Sequence, residues 1–419
     1  GGTCLHRGCI PTKALLHSAE IADNVKDAAH YGVNASFGSI DMPAVNKYRD
    51  TIVDKLFKGL TGLVGSKDIN VVAGEGRMVG PKTIQVNGDN YTGASLVLAS
   101  GSYSRSLPGL EIGGRVITSE HALQLSFVPN SVIVLGGGVI GVEFASIWKS
   151  FGAQVTIIEG LPSLVPNEDA SVSKALERAF RKRGIEFKTG VRFAGVEQHE
   201  NGVVVSLESG EKLEAEVLLV AVGRGPNTAG LGYEEQGIAM DRGYVLTNER
   251  LETNLAGVYA AGDIVPGLQL AHRGFQQGIF IAEEIAGLKP AVIDETGIPK
   301  VTYCEPEIAS VGLTEAKAAE VHGADNISTY EYNLGGNGKS QILGTAGFIK
   351  LIRKNNGPIV GVHMIGSRVG EQIGEAQLIV NWEAYPEDVA TLIHAHPTMN
   401  EAIGEAHLAL AGKPLHAHA

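Results

Sequence analysis

Hydrophobic and polar positions change rhythm along this chain. From Cys9 to His30 apolar residues recur at three- and four-residue spacing, with Ile10, Ala14, Leu15, Ile21, Ala22 and Val25 forming one stripe. That spacing predicts an amphipathic helix. Pro11 suits its first turn and Gly32 its stop. A second helix is expected from about Asp41 to Val64. Short β segments follow in "INVVAGEG", "TIQVNGDNYTG" and "SLVLASGS", where Asn87-Gly88 marks a hairpin turn. From Ser131 the pattern becomes strand, glycine loop, helix, strand, in "SVIVLGGGVIGVEFASIWKSFGAQVTIIE". A helix from Ser171 to Arg183, ended by Gly184, leads to further strands and to "AEVLLVAVGRGPNT". Next come "LAGVYAAGDIV" and an apolar helix, "LAHRGFQQGIFIAEEIAG". Beyond Pro299 strands alternate with helices as far as "HAHPTMNEAIGEAHLALAG".

Length turns these elements into domains. A chain of 419 residues exceeds one ordinary core, and the pattern fits three compact units, the first interrupted by the second. A net charge of −12 without a basic cluster argues against a nucleic-acid surface. No apolar run approaches the roughly 20 residues that span a bilayer, so no membrane partner is expected. Three cysteines do not make a secreted disulfide scaffold. A reducing compartment, the cytoplasm, is the expected location.

The first chemistry lies in the glycine loop. Gly136, Gly138 and Gly141 form G-x-G-x-x-G after the strand "VIVL" and at the opening of a helix. The first glycine permits a tight turn, the second lets backbone approach a pyrophosphate, and the third allows close helix–strand packing. Backbone N–H groups at the helix start then attract phosphate. Glu159 closes the next strand 18 residues beyond Gly141, near the place of a carboxylate that binds ribose hydroxyls. A carboxylate there favours NAD over the 2′-phosphate of NADP. Gly137, Val139, Ile140 and Val142 complete the loop and the first helical turn. A purely structural glycine turn is the competing reading.

The second lies in "GGTCLHRGCIPTK". Cys4 and Cys9 are five positions apart, a rise of about 7.5 Å on a regular helix, outside the usual Cα window for a disulfide. A bridge therefore requires Cys4 in an irregular entry and Cys9 near the first turn. Two inert core cysteines are the alternative. Lys13, one turn after Cys9, favours use over burial, because the helix start and a cation both lower a thiolate pKa. Cys304, in "VTYCEPEIASVG", is expected to be structural.

These segments carry a resemblance. "GGTCLHRGCIPTK", "GGGVIGVEFA", "AVGRGPNT", "NLAGVYAAGDI" and "HAHPTMNEAIGEA" resemble, in order, the signatures of the pyridine nucleotide-disulfide oxidoreductases. The resemblance implies an α/β chain with two Rossmann-like dinucleotide-binding domains, for FAD and NAD, and a C-terminal α+β dimerisation domain. It implies an FAD domain in residues 1–108 and 229–297, an NAD domain in 109–228 and an interface domain in 298–419. The family's first FAD βαβ unit precedes GGTC and is not in this chain. Within the family, Ile10-Pro11-Thr12-Lys13 and Glu159 are most similar to NAD-linked members that oxidise dihydrolipoamide. Those members serve the lipoyl-bearing E2 components of 2-oxo acid dehydrogenase complexes. A different disulfide substrate, or a non-catalytic NAD-binding and dimerisation module, are the alternatives.

By that resemblance Cys4 and Cys9 form the redox-active disulfide, Cys4 exchanging with substrate and Cys9 facing the flavin. Lys13 pairs with Glu143, whose competing reading is a helix-surface carboxylate. His396 takes the dithiol's proton, oriented by Glu401 and acting across a homodimer interface. Thr398 to Glu401 also reads as a capping box, T-x-x-E, and a carboxylate with two oxygens can do both tasks. A metal site at His394, His396 and the tail histidines is a further alternative. FAD contacts fall on Thr3, Lys13, Gly76, Ser100, Gly101, Ser102, Gly262, Asp263, Leu270, Ala271 and His272, with Asp263 taking the ribitol hydroxyls or else serving as a plain turn residue. Glu143, Phe193 and Gly223 join the loop residues in flanking NAD.

Overall fold

The computed structural model describes residues 2–416. Its contacts divide the chain into two units, one of Gly1–Pro11, Lys47–Arg105 and Gly223–Glu295, the other of Thr12–Asn46, Ser106–Val222 and Thr296–Ala419. The expected NAD and interface segments therefore cluster as one unit. His418, one of the tail histidines, lies outside the described residues.

In the first unit, Thr83–Val86 and Asp89–Thr92 form a hairpin completed by Gly76–Gly80 on its other edge. Asn87 and Gly88 both take positive φ, 53° and 94°, as a two-residue turn matched to strand twist requires. Leu96–Leu98 pairs in parallel with Val258–Ala260, and Ser102–Ser104 antiparallel with Arg224–Pro226. Met78, Leu98, Val245, Val258, Ala260 and Ile264 are buried among the residues that close this core.

One expectation fails here. The apolar run Ile69 to Val72 forms no strand, and the first strand begins only at Gly76. Val71 is 76% exposed. Hydrophobic β-branched residues favour a strand only where a neighbour pairs their backbone, and none of the described strands does.

The second unit is built on a five-stranded parallel sheet, in the order Val116–Thr118, Val217–Val220, Ser131–Leu135, Gln154–Glu159, Glu186–Thr189. Val132, Ile133, Val134, Ile157, Ile158, Leu218 and Leu219 are essentially inaccessible, as strands covered on both faces require. Helices Val139–Phe151 and Ala170–Arg183 connect them, and Gly152 and Gly184 end these helices in the left-handed conformation. A second, antiparallel five-stranded sheet runs Lys300–Thr302, Glu307–Gly312, Ile359–Gly366, Phe348–Lys354, Ile327–Asn333. Helices Val369–Asn381 and Glu401–Leu410 belong to the same C-terminal region, and their buried residues join its core.

The helix opened by Cys9 ends at Asp27, and the stretch to Tyr31 tightens into a 3₁₀ turn closed by Gly32 at φ 76°. The expected terminus at His30 thus absorbs one tight turn, a common form of fraying.

Candidate active site

Cys4 does not sit in irregular chain. It lies in a short helix, Thr3–Arg7, and Gly8 breaks that helix from the one Cys9 begins. Cys4 and Cys9 are both half-buried, whereas Cys304 is 1% exposed and donates its thiol to the Pro306 carbonyl at 3.2 Å. Burial pushes the Cys304 thiol well above its ordinary range, which leaves it a poor nucleophile. Gly8, at φ −138° and ψ −108°, lies outside helical geometry and separates the two helices. A Cβ at Gly8 would lie 3.0 Å from the Thr3 carbonyl oxygen.

The same unit holds a polar cradle. Ser102 donates its hydroxyl to Asp263 at 2.5 Å, and Arg224 donates Nε to the Ser102 hydroxyl at 2.7 Å. Arg224 also reaches the Ser102 carbonyl at 2.8 Å and the Ser104 hydroxyl at 3.2 Å. Asp263 stands in a single 3₁₀ turn, Gly262–Ile264, and Gly262 N–H is held by Gln277 at 2.7 Å. Ser100 donates to the Asn227 carbonyl at 2.6 Å and accepts from Tyr233 at 3.3 Å. Gly101 and Gly262 both take φ 76°. Leu270 caps the helix that Ala271 and His272 begin, Gly76 opens the hairpin sheet, and Thr3 opens the Cys4 helix. Sequence reasoning missed Arg224, Tyr233 and Gln277. Arg224 stood inside the quoted "AVGRGPNT", but nothing near it in the sequence marks Ser102 as its partner.

In the second unit the glycine loop is made of backbone. A Cβ at Gly136 would lie 2.3 Å from the Ala221 carbonyl oxygen, and one at Gly141 only 1.9 Å from that of Gly136. At Gly138, by contrast, nothing lies within 4 Å of the Cβ position. That open face at a helix N-terminus suits a pyrophosphate, so the residues present fit a dinucleotide. Gly138 caps the helix that Val139, Ile140 and Val142 continue. Both oxygens of Glu159 are engaged, one by Gly137 N–H at 2.6 Å and one by Leu161 N–H at 2.7 Å. Phe193 begins a strand opposite Leu207. Gly223, which falls in the first unit instead, takes φ 106°, and its carbonyl accepts from Arg105 N–H at 3.0 Å.

Glu143 is no surface carboxylate: it is 3% exposed. Lys13 Nζ lies 2.9 Å from each of its oxygens, and Tyr303 N–H donates to one of them at 2.9 Å. A buried carboxylate demands such partners. The ammonium also sits 4.8 Å from the Tyr303 ring centroid, a cation–π contact that sequence reasoning missed.

His396 is 78% exposed, and its Nδ1 lies 2.7 Å from Glu401. The other Glu401 oxygen accepts from Thr398 N–H at 2.7 Å. Burial pushes the Glu401 carboxyl up, but that N–H and His396 outweigh it and hold it below the usual carboxylate range. The capping box forms only by half. Thr398 donates its hydroxyl to Ala395, and the helix starts at Glu401 after Asn400. The two-oxygen argument nevertheless describes this carboxylate. His394 turns from the metal reading to an ion pair with Glu375 at 2.7 Å, and His416 to one with Glu405 at 2.9 Å.

A polar cradle around Asp263, a glycine loop open at Gly138 and a cysteine pair at a helix start are features that a dinucleotide-using oxidoreductase of disulfides requires. The chain belongs to the pyridine nucleotide-disulphide oxidoreductases: the family's model matches residues 1–278 and its dimerisation domain residues 298–407. It is 40% identical to a dihydrolipoyl dehydrogenase of Bacillus subtilis, over 99% of this chain and 92% of that protein. It is 38% identical to the leghemoglobin reductase of Glycine max, over 100% and 82%. Among solved structures, LpdA from Mycobacterium tuberculosis superimposes with a TM-score of 0.90 at 26% identity, over 98% and 91% of the two chains. The HOCl-induced flavoprotein disulfide reductase RclA from Escherichia coli does so with 0.86 at 27%, over 97% and 91%. Among the described residues, no helix is long and apolar enough to cross a membrane.

Proposed function

We propose that this chain oxidises dihydrolipoamide to lipoamide and reduces NAD⁺ to NADH, as a flavin-dependent homodimer serving the lipoyl-bearing E2 components of 2-oxo acid dehydrogenase complexes in the cytoplasm. The single observation that carries the reading is the 40% identity with a dihydrolipoyl dehydrogenase over 99% of this chain. The reaction is balanced: a dithiol loses two electrons and two protons, NAD⁺ gains a hydride, and one proton is released.

Asp263, held by Ser102, and Gly262 would bind FAD; when bound, FAD supplies the two-electron carrier between sulfur and nicotinamide. A substrate thiolate attacks the Cys4–Cys9 disulfide at Cys4, forming a mixed disulfide and releasing Cys9 as thiolate. The second substrate sulfur then displaces Cys4, and lipoamide leaves. His396 accepts a thiol proton at Nε2, since Nδ1 is taken by Glu401, and the carboxylate stabilises the imidazolium. Lys13, clamped by Glu143, places a fixed positive charge one turn along the helix that Cys9 opens. Gly136 to Gly141 would hold the pyrophosphate of NAD⁺, and Glu159 its adenosine ribose.

The purified protein, supplied with FAD, is tested for NAD⁺ reduction by dihydrolipoamide against reduced glutathione. Dihydrolipoamide turnover that disappears in Cys4→Ser and Cys9→Ser is expected. Turnover with another thiol alone overturns the substrate, and a protein that retains no yellow flavin overturns the enzyme in favour of a binding module.

A further inference from the structure

The turn that carries His396 is tied down by a second histidine–carboxylate pair that the proposed chemistry does not use. His394, two residues earlier, is 11% exposed, and its Nε2 lies 2.7 Å from one oxygen of Glu375. The other oxygen accepts from the Asn400 side-chain amide at 2.7 Å. Glu375 projects from the helix Val369–Asn381, so one carboxylate grips both ends of the segment 394–400. Helix Glu401–Leu410 is shaped for the same arrangement. A Cβ at Gly404 would lie 2.6 Å from His394 Nδ1 and 2.9 Å from its Cε1, so only glycine lets the ring lie there.

Charge supports the geometry. The Glu375 carboxylate raises the His394 pKa despite burial. Burial pushes Glu375 up, yet His394 and Asn400 outweigh it and hold the carboxyl below its ordinary range. The pair is thus a charge-assisted contact across two elements, stronger than a neutral hydrogen bond.

His396 itself has little to fix it. Its ring is largely exposed; Glu401 sets its rotation and holds the backbone after it at Thr398 N–H, but not the residues before it. We propose that Glu375, through His394 and Asn400, is the positioning carboxylate that places the His396 imidazole for proton transfer with a thiol. This inference rests on the proposed dihydrolipoamide reading. A base must lie within hydrogen-bond reach of its proton, and a displacement of about 1 Å can cost on the order of a hundredfold.

The test compares Glu375→Ala, Glu375→Gln and Gly404→Ala in the full-length chain with bound flavin. A glutamine oxygen still accepts from His394, and Asn400 can turn its own oxygen toward the new amide, so Glu375→Gln should stay within about threefold of the parent. The alanine at 375 should lower kcat for dihydrolipoamide about ten- to hundredfold with KM for NAD⁺ unchanged. NADH oxidation by an artificial one-electron acceptor, which needs no thiol proton, should be spared. Gly404→Ala, which displaces the His394 ring while leaving Glu375 in place, should follow the alanine variant. Histidine-selective ¹⁵N labelling reads the His396 ring without turnover: its resonances should shift or broaden in Glu375→Ala and keep the parent's positions in Glu375→Gln. Unchanged kcat and unchanged His396 resonances in both alanine variants overturn the proposal, as does equal loss of both activities. A parent that never turns over dihydrolipoamide sinks the substrate reading instead, and the His396 resonances then decide the positioning role alone.

Discussion

The glycine loop after Leu135 and the turn that carries His396 are both organised ahead of use, but from different material. In the loop, shape comes from backbone packed against backbone: the Gly136 and Gly141 sites admit no Cβ because carbonyl oxygens already stand 2.3 and 1.9 Å away. In the turn, shape comes from side chains: Glu401 holds His396 and Thr398, and Glu375 holds His394 and Asn400. A backbone site recognises phosphate whatever the pH, because its donors do not titrate. A histidine–carboxylate site can move protons, and for the same reason depends on pH. The loop should therefore break through sterics and the turn through charge.

The largest effect expected is on the turn. His396→Gln keeps an exposed polar side chain, so the melting temperature should hold, while dihydrolipoamide-driven turnover falls by about 10²–10⁴-fold, the usual worth of a general base. Steady-state kinetics beside a thermal melt measure both. A loss confined to stability would place His396 outside the chemistry.

Gly141→Ala is the matching assault on the loop. A methyl 1.9 Å from the Gly136 carbonyl oxygen must displace backbone, and overpacking of that kind should cost on the order of 3 kcal/mol or more in unfolding free energy. Gly138→Ala is its control. Open space at that Cβ position should leave stability near the parent while weakening NAD⁺ binding, read by calorimetric titration. Equal stability losses at both glycines would erase the distinction between a packed glycine and a ligand-facing one.

A third test uses acid. His407, in the helix that Glu401 begins, is fully buried, with Nδ1 2.7 Å from the Ile403 carbonyl and no partner at Nε2. Burial lowers its pKa to about 4, against about 6.5 in the unfolded chain. The unfolded state thus binds the proton first, so this stabilisation is whole above about pH 6.5 and shrinks as pH falls toward 4. Linkage puts the loss on the order of 2–3 kcal/mol, visible as a falling denaturant midpoint. His407→Gln should flatten that slope between pH 6.5 and 4; an unchanged slope would mean that other groups carry the acid sensitivity.

The same contrast explains what the sequence could say. Backbone devices announce themselves, since glycine and, in turns, asparagine favour such positions: the loop at 136–141, the Asn87-Gly88 turn and the stops at Gly32 and Gly184 were all legible. Pairings between distant side chains were legible only through the family likeness, as for Lys13 with Glu143. Arg224 on Ser102, Tyr303 against Lys13 and Glu375 against His394 depend on which elements meet, which spacing along the chain does not encode. The run at 69–72 misled for a related reason. Its residues suit a strand, but strand formation is decided by a neighbour. Thr398 misled more subtly, because T-x-x-E fits both a capping box and a carboxylate reaching back to one N–H.

Glu159 is where the contrast is put under most strain, because there a side chain shapes the backbone loop. Its two oxygens accept from Gly137 N–H and Leu161 N–H, while its expected task is to bind the ribose hydroxyls of NAD. Glu159→Gln retains one acceptor oxygen and turns an N–H₂ toward the other donor, which should cost on the order of 1 kcal/mol. The substitution also removes the charge that repels a 2′-phosphate. If Glu159 serves ligand as well as loop, NAD⁺ affinity should fall about fivefold, an amount worth roughly 1 kcal/mol, while the preference for NAD⁺ over NADP⁺ narrows. Titration of both nucleotides against the parent and the glutamine variant measures this. Equal weakening of both nucleotides would make Glu159 a strut for the glycine loop alone, and selection between them would then have to reside in the residues that follow it.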